Sequence, residues 1–221
     1  MKKQIVAILA GAMLMMATSA MATSWIDWST KNAGTLTVGS SAVSVSLTGL
    51  ADDLVNGDGY YNNGYTGGIS ASGTYGGLAP SDMIQEWNSG RVTINFSEAI
   101  LNPYIALVSV GQPGTYNVNY AFQNLQNPID VISSGSNYWG YGGYSINGNT
   151  FSGHEFNGIL QLEGSYNSLT FDISPNEFWH GFNIGADSTS APVPEPGTMM
   201  LLGIGMLGMA VYGKRRMNKE V

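Results

Sequence analysis

The sequence predicts an all-β protein: one antiparallel β-sandwich, jelly-roll-like, set between an N-terminal signal helix and a single C-terminal transmembrane helix. Three observations carry that prediction. Apolar side chains recur at every second position through much of residues 23–186, Gly, Asn and Pro clusters interrupt them at short intervals, and helix-length apolar runs flanked by basic residues sit at the two ends. Period-two alternation buries one face of a strand and wets the other, which marks antiparallel sheets.

The first element is residues 1–22. Lys2 and Lys3 precede an apolar run from Ile5 to Ala17, and Ala20-Met21-Ala22 follows as a small-residue cleavage site, with Ala20 and Ala22 at its recognition positions. The run is too short to cross ~30 Å of hydrocarbon comfortably, so it is read as a secretory signal and not as a permanent anchor. The partners this implies are the Sec translocon and signal peptidase.

Residues 23–186 form the expected sandwich. Val43, Val45 and Leu47 alternate with polar residues, as do Val92, Ile94 and Phe96, then Tyr116, Val118, Tyr120 and Phe122, then Leu160 and Leu162, then Leu169, Phe171 and Ile173, and finally Phe178, His180, Phe182 and Ile184. Tyr104–Val110 is more continuously apolar and should run through the centre of a sheet. Asn147-Gly148 between two short strand patterns predicts a tight hairpin. Helix is expected nowhere in the domain, save one turn near Ser81–Trp87. Two stretches, Asp52–Gly77 and Ser133–Ser152, are rich in Gly, Asn and Tyr and read as long loops, or a loop plus a peripheral hairpin, at an edge or end of the sandwich.

Composition limits what such a domain can do. The chain has 221 residues and no cysteine, which excludes disulfides, thiol chemistry and cysteine-bound zinc. Within residues 23–192 two basic side chains, Lys31 and Arg91, face thirteen acidic ones, leaving a net charge of −11. A phosphate backbone would be repelled, so nucleic acid is excluded as a partner, whereas divalent cations and neutral glycans are compatible.

Residues 187–197 are a linker containing Pro194, Glu195 and Pro196. Prolines lack an N–H donor and force their predecessors into extended geometry, so this segment is stiff and non-helical, the form a protease takes up. Residues 198–213 are apolar, ~24 Å of helix, short for a bilayer but workable with local thinning. Residues 214–221 carry Lys214, Arg215 and Arg216, a basic stop that holds the C-terminus in the cytoplasm, with the domain outside.

Pro-Glu-Pro, a short apolar helix and a terminal basic cluster, in that order, resemble the PEP-CTERM sorting signal of Gram-negative bacteria. The resemblance implies recognition of Pro194, Glu195 and Pro196 by an exosortase, a membrane protease or transpeptidase, and delivery to the envelope, outer surface or extracellular matrix of organisms that make exopolysaccharide and biofilm. Phe96-Ser97-Glu98, Asn102-Pro103-Tyr104, Gly158-Ile159-Leu160-Gln161-Leu162 and the strand from Glu177 to Gly185 also resemble ectodomains of such proteins, a likeness that implies no activity.

Catalytic signatures are sparse. The chain has two histidines, His154 and His180; His154-Glu155 lacks the second histidine of a zinc helix, and His180 alternates with apolar residues as a packed side chain does. No G-x-S-x-G elbow is present. Asp52, Asp53 and Asp58 on a Gly-containing loop are candidate Ca²⁺ ligands, against the alternative of an acidic turn chosen by backbone geometry. Tyr138, Trp139, Tyr141 and Tyr144 are candidate glycan contacts, followed by Trp87 and the Tyr60, Tyr61 and Tyr65 group; the alternative is that these rings lean back onto the sandwich. The expected function is therefore a non-enzymatic structural or carbohydrate-associated module of an extracellular matrix. The competing expectation is a polysaccharide hydrolase or lyase. Two carboxylates converging in one groove would favour that enzyme; a flat aromatic face without such a pair would favour binding.

Overall fold

The structure is a computed structural model that describes residues 23–56, 59–61, 74, 75, 78, 80–137 and 139–189, together with 205, 206 and 209. The chain divides into two units, Met1–Ser190 and Ala191–Val221. In the second, Gly205, Met206 and Met209 are helical and exposed. Among the described residues no helix is long and apolar enough to cross a membrane. The signal segment, the Pro-Glu-Pro segment, the basic stop and the rest of the expected transmembrane helix lie outside the described residues.

Among its described residues the first unit is built of strands, with one 3₁₀ turn at Gly59–Tyr61. Its strands are β1 (Ser24–Thr30), β2 (Ala33–Val38), β3 (Ser41–Gly49), β4 (Asp53–Val55), β5 (Met83–Glu86), β6 (Gly90–Leu101), β7 (Tyr104–Val110), β8 (Val118–Phe122), β9 (Ile129–Ser134), β10 (Tyr144–Asn147), β11 (Thr150–Gly153), β12 (Phe156–Leu162), β13 (Ser165–Ser174), β14 (His180–Ala186) and β15 (Ser188–Thr189). Every pairing is antiparallel. One sheet runs β4-β5-β14-β7-β12-β9, and the other runs β10-β11-β8-β13-β6-β3-β2-β1. In both, a late strand lies between earlier ones: β14 between β5 and β7, β13 between β6 and β8.

β1 joins the sheets into a near-barrel. Ser24 and Trp25 pair with β14 in the first sheet, while Ile26 to Thr30 pair with β2 in the second. Where the strand leaves β14 its backbone needs a new partner. The buried Asn183 supplies one, its Nδ2 donating to the carbonyls of Ile26 (3.0 Å) and Asp82 (2.9 Å), while its Oδ1 accepts from Trp28 Nε1 at 3.0 Å.

The expected alternation holds in the second sheet, whose Val43, Val45, Leu47, Val92, Ile94, Leu169 and Phe171 meet Ile105, Leu107, Leu160, Phe182 and Ile184 from the first in one buried core, but β12 and β14 are buried on both faces. The Asn147-Gly148 hairpin also forms, with Asn147 opposite Thr150 and Gly148 at φ 58°. Three expectations need correction. Met83–Glu86 is strand β5, not a helical turn, because β14 and β4 satisfy its backbone on both sides. Phe178 is 91 % exposed, because β14 starts only at His180 and the alternation does not reach back into the preceding loop. Paired backbone also continues past residue 186, since β15 pairs with β6.

Of the stretch from Asp52 to Gly77, the described residues include a strand, β4, and three tyrosines. Its described tyrosines cover the outer face of the first sheet, where Tyr61 and Tyr75 are 1 % exposed and pack with Met83, Ala106, Val108 and Ile159 in a second buried cluster. The Tyr75 hydroxyl donates to the Leu107 carbonyl at 3.0 Å. This is why Tyr104–Val110 is apolar on both faces: β7 is covered from both sides.

Candidate functional site

The site grows from an irregularity at the end of β7. Phe156 is opposite Val110 but Gly158 is opposite Leu107, so β7 carries one extra residue there. That bulge places Ser109 at φ 54°, a left-handed conformation costly for a residue with a side chain. The facing strand compensates it. Ser109 N donates to Asn157 Oδ1 at 2.8 Å and Ser109 Oγ donates to Glu155 Oε1 at 2.7 Å. Glu155 is itself at φ 54°. Strained non-glycine backbone gathers where surrounding structure holds a side chain in a required direction.

Glu177 approaches the same place from the loop before β14. Its N–H donates to the Trp87 carbonyl at 3.1 Å, and its Oε2 accepts from Gly111 N at 3.1 Å. Gly111 is at φ 86°, and a Cβ there would collide with the Gly153 carbonyl oxygen, so only glycine presents its N–H in this way. His180 Nδ1 lies 2.8 Å from Glu177 Oε2. The contact is electrostatic and out of line for a hydrogen bond, since neither ring nitrogen has a hydrogen-bond partner among the described residues.

Glu155 and Glu177 both line one pocket of about 420 Å³, with Ser109, Gly111, Gln85 and Gln112 as the rest of its polar surface. Tyr60, Trp139, Trp179 and Phe178 form its aromatic side. Trp139 and Trp179 have ring centroids 4.9 Å apart, Tyr60 is 4.9 Å from Trp179, and Tyr60 stacks on Trp139 at 6.3 Å. The loop carrying Trp139 is fastened by Asn157, whose Nδ2 donates to the Gly140 carbonyl at 3.1 Å, and by Asn137 Nδ2, which donates to the Tyr60 carbonyl at 3.0 Å. A pocket of this size, with an aromatic wall and few polar groups, is suited to a small ligand. A second depression of about 450 Å³, beside Leu125, Pro128 and Ile146, has neither a titratable group nor an aromatic ring in its lining.

The carboxyls of this region are electrostatically distinct. Burial, reinforced by the negative charge of Glu177 and opposed by the Ser109 hydrogen bond, pushes Glu155 up to about 7. Glu86, buried at the end of β5 beside Asp52, is pushed up to about 8, chiefly by burial. Near neutral pH the pocket thus contains a carboxyl able both to give and to take a proton.

The predicted aromatic contacts separate. Trp139 is in the pocket wall and 42 % exposed. Tyr141 and Tyr144 pack on Phe156 with centroids 6.4 and 5.4 Å away, as rings leaning back on the sandwich do. Tyr138 and Tyr65 lie outside the described residues. Of the candidate Ca²⁺ ligands, Asp52 caps a turn: its Oδ2 accepts from Trp87 N and Asn88 N at 2.8 and 2.9 Å, and its Oδ1 from Asn88 Nδ2 at 2.8 Å. Asp53 Oδ1 accepts from the N–H of Leu54 at 2.8 Å, and Asp58 lies outside the described residues. Among the described residues no group of three His, Asp or Glu side chains is placed to hold a metal ion. His154 clips a turn, with Nδ1 2.7 Å from Asn117 Oδ1 and Nε2 accepting from Gly114 N at 3.3 Å.

Residues 192–216 match the family model described as the PEP-CTERM protein-sorting motif. The chain carries a PEP-CTERM sorting signal. The PEP-CTERM match includes Pro194, Glu195 and Pro196 and the basic residues Lys214, Arg215 and Arg216. It marks the chain as an exosortase substrate directed out of the cytoplasm toward the cell envelope. No curated protein and no solved structure matches the chain.

Sequence reasoning missed Glu155, Glu177, Ser109, Gln85 and Trp179 as one site. The available signal was weak: each glutamate is an isolated acid that directly precedes a phenylalanine, in His154-Glu155-Phe156 and Glu177-Phe178-Trp179.

Proposed function

We propose that this protein is a carbohydrate-associated module of an extracellular matrix, exported by its N-terminal signal through the Sec translocon, trimmed by signal peptidase and handed by exosortase to the exopolysaccharide of a Gram-negative biofilm. The scaffold is read as a jelly-roll-like sandwich, for which the interleaving of β14 and β13 between earlier strands is the support. The observation that carries the binding role is the pocket lined together by the Tyr60, Trp139 and Trp179 rings and by Glu155, Glu177, Gln85 and Gln112. Sugar rings present C–H faces to aromatic rings and hydroxyls to carboxylates and amides, so both sides of this pocket have a use. Isothermal titration with matrix polysaccharide fragments tests it: Trp139→Ala should weaken binding on the order of tenfold or more, and absence of binding by the wild type defeats it.

The carboxylate pair favours a second reading, glycan cleavage. One carboxyl would pass its proton to the departing glycosidic oxygen as the bond to the sugar carbon breaks. The other carboxylate would take a proton from the water whose oxygen bonds to that carbon. The test is release of new reducing ends, lost in Glu155→Gln; polysaccharide left at full length by the wild type rules cleavage out.

A further inference from the structure

We infer that the pocket selects an amine-bearing sugar, a unit with a protonated free amino group, over its neutral or N-acylated counterpart; this rests on the carbohydrate reading and specifies its ligand. Two carboxyl groups share one small pocket, on residues that are 5 and 9 % exposed, with no lysine or arginine among the lining residues, and an ammonium bound between them would draw Glu155 into its ionised form. The two basic side chains available between residues 23 and 192 are engaged elsewhere: Arg91 with Asp172 at 2.7 and 2.9 Å, and Lys31 Nζ with the Asp52 carbonyl at 3.4 Å. His180, whose Nδ1 lies 2.8 Å from Glu177 Oε2, is not among the pocket-lining residues. A neutral sugar seated in this pocket would strip water from the acids and return only hydroxyl hydrogen bonds. An ammonium group returns charge-assisted hydrogen bonds to the same oxygens.

The wall points the same way. The faces of Tyr60, Trp139 and Trp179 carry the negative side of the ring quadrupole, which attracts a cation within about 6 Å of a ring centroid while also stacking on the sugar C–H face. Gln85 and Gln112 remain for the hydroxyls. The surrounding domain, with its strongly negative balance, would draw a cationic polymer toward the pocket and repel an anionic one.

The experiment uses the full chain in detergent and two probes of equal length, a β-1,4-linked glucosamine tetrasaccharide and its fully N-acetylated counterpart, titrated calorimetrically at pH 6.5. The free-amine probe should bind about tenfold or more tightly than the acetylated one. Glu155→Gln and Glu177→Gln, which retain a carbonyl oxygen for Ser109 and Gly111, should bring the two affinities close together. Trp139→Ala should weaken both probes, the free-amine one more, since it loses the ring quadrupole as well as the stacking face. Asp130→Asn removes an exposed acid on β9 and should leave the preference intact; if it erodes the preference as much as Glu155→Gln does, a diffuse surface field is responsible and the inference falls. Equal binding of the two probes by the wild type also overturns it while leaving the carbohydrate reading standing. Binding of neither overturns both.

Discussion

The two sheets are both antiparallel but opposite in how their outer faces are finished. The outer face of the β6–β13–β8 sheet is a lawn of Thr93, Asn95, Thr170 and Asp172, wetted directly and crossed by the exposed Arg91–Asp172 pair. The outer face of the β7–β12–β14 sheet is buried under tyrosines from the Gly-rich segment between β4 and β5. A face that meets water is finished strand by strand, by simple alternation. A face that meets a loop can hold a bulge, buried carboxyls and a pocket, because the covering layer has no period to obey. The pocket lies on the covered side for that reason.

The contrast between the faces is tested most directly at Tyr75. Tyr75→Ala should lower stability by about 3–4 kcal/mol, as removal of a large core ring does, whereas Thr93→Ala should change it by less than about 0.5 kcal/mol. Chemical denaturation measures both. A small loss at Tyr75 would mean that the covering layer is not part of the cooperative core.

Next in size is the effect of pH. Glu155 and Glu86 have folded-state values raised to about 7 and about 8, above the ordinary 4.5 of the unfolded chain. The native state therefore holds protons that the unfolded state has released, so stability is greatest below about pH 4.5 for these groups and falls as pH rises through 7 and 8. Each tenfold difference in proton affinity between the two states is worth ~1.4 kcal/mol, so the pair should remove at least about 3 kcal/mol between pH 5 and 8.5. Denaturation across that range should show the decline, and Glu86→Gln with Glu155→Gln should flatten it. At Asp52 burial is outweighed by the N–H donors of Trp87 and Asn88, and at Asp172 the Arg91 guanidinium dominates, so both carboxyls are held below the usual range. Those two act in the opposite sense, and only in acid.

A smaller loss is expected at Asn157, which supports the Ser109 bulge and fastens the Trp139 loop. Asn157→Ala should cost about 2 kcal/mol and weaken glycan binding together, because both depend on the same side chain. If binding survives unchanged, the wall does not need that tie. The smallest effect belongs to Arg91→Ala on the wet face, which should leave the melting temperature within experimental error at physiological salt.

The strand alternation, the hairpin at Asn147-Gly148, the double-sided burial of Tyr104–Val110 and the sorting signal over 192–216 are all legible in the order of amino acids. Each of these is a local pattern, set by periods of two or by neighbours along the chain. That Glu155 and Glu177 share a pocket, that Tyr61 and Tyr75 are core residues, and that Phe178 points to water emerge only when the strands are assembled. Those outcomes depend on which strand lies beside which, and on a one-residue bulge that reverses the facing of Ser109. Alternation records whether a side chain is inward or outward, and it carries no record of what covers the outer face.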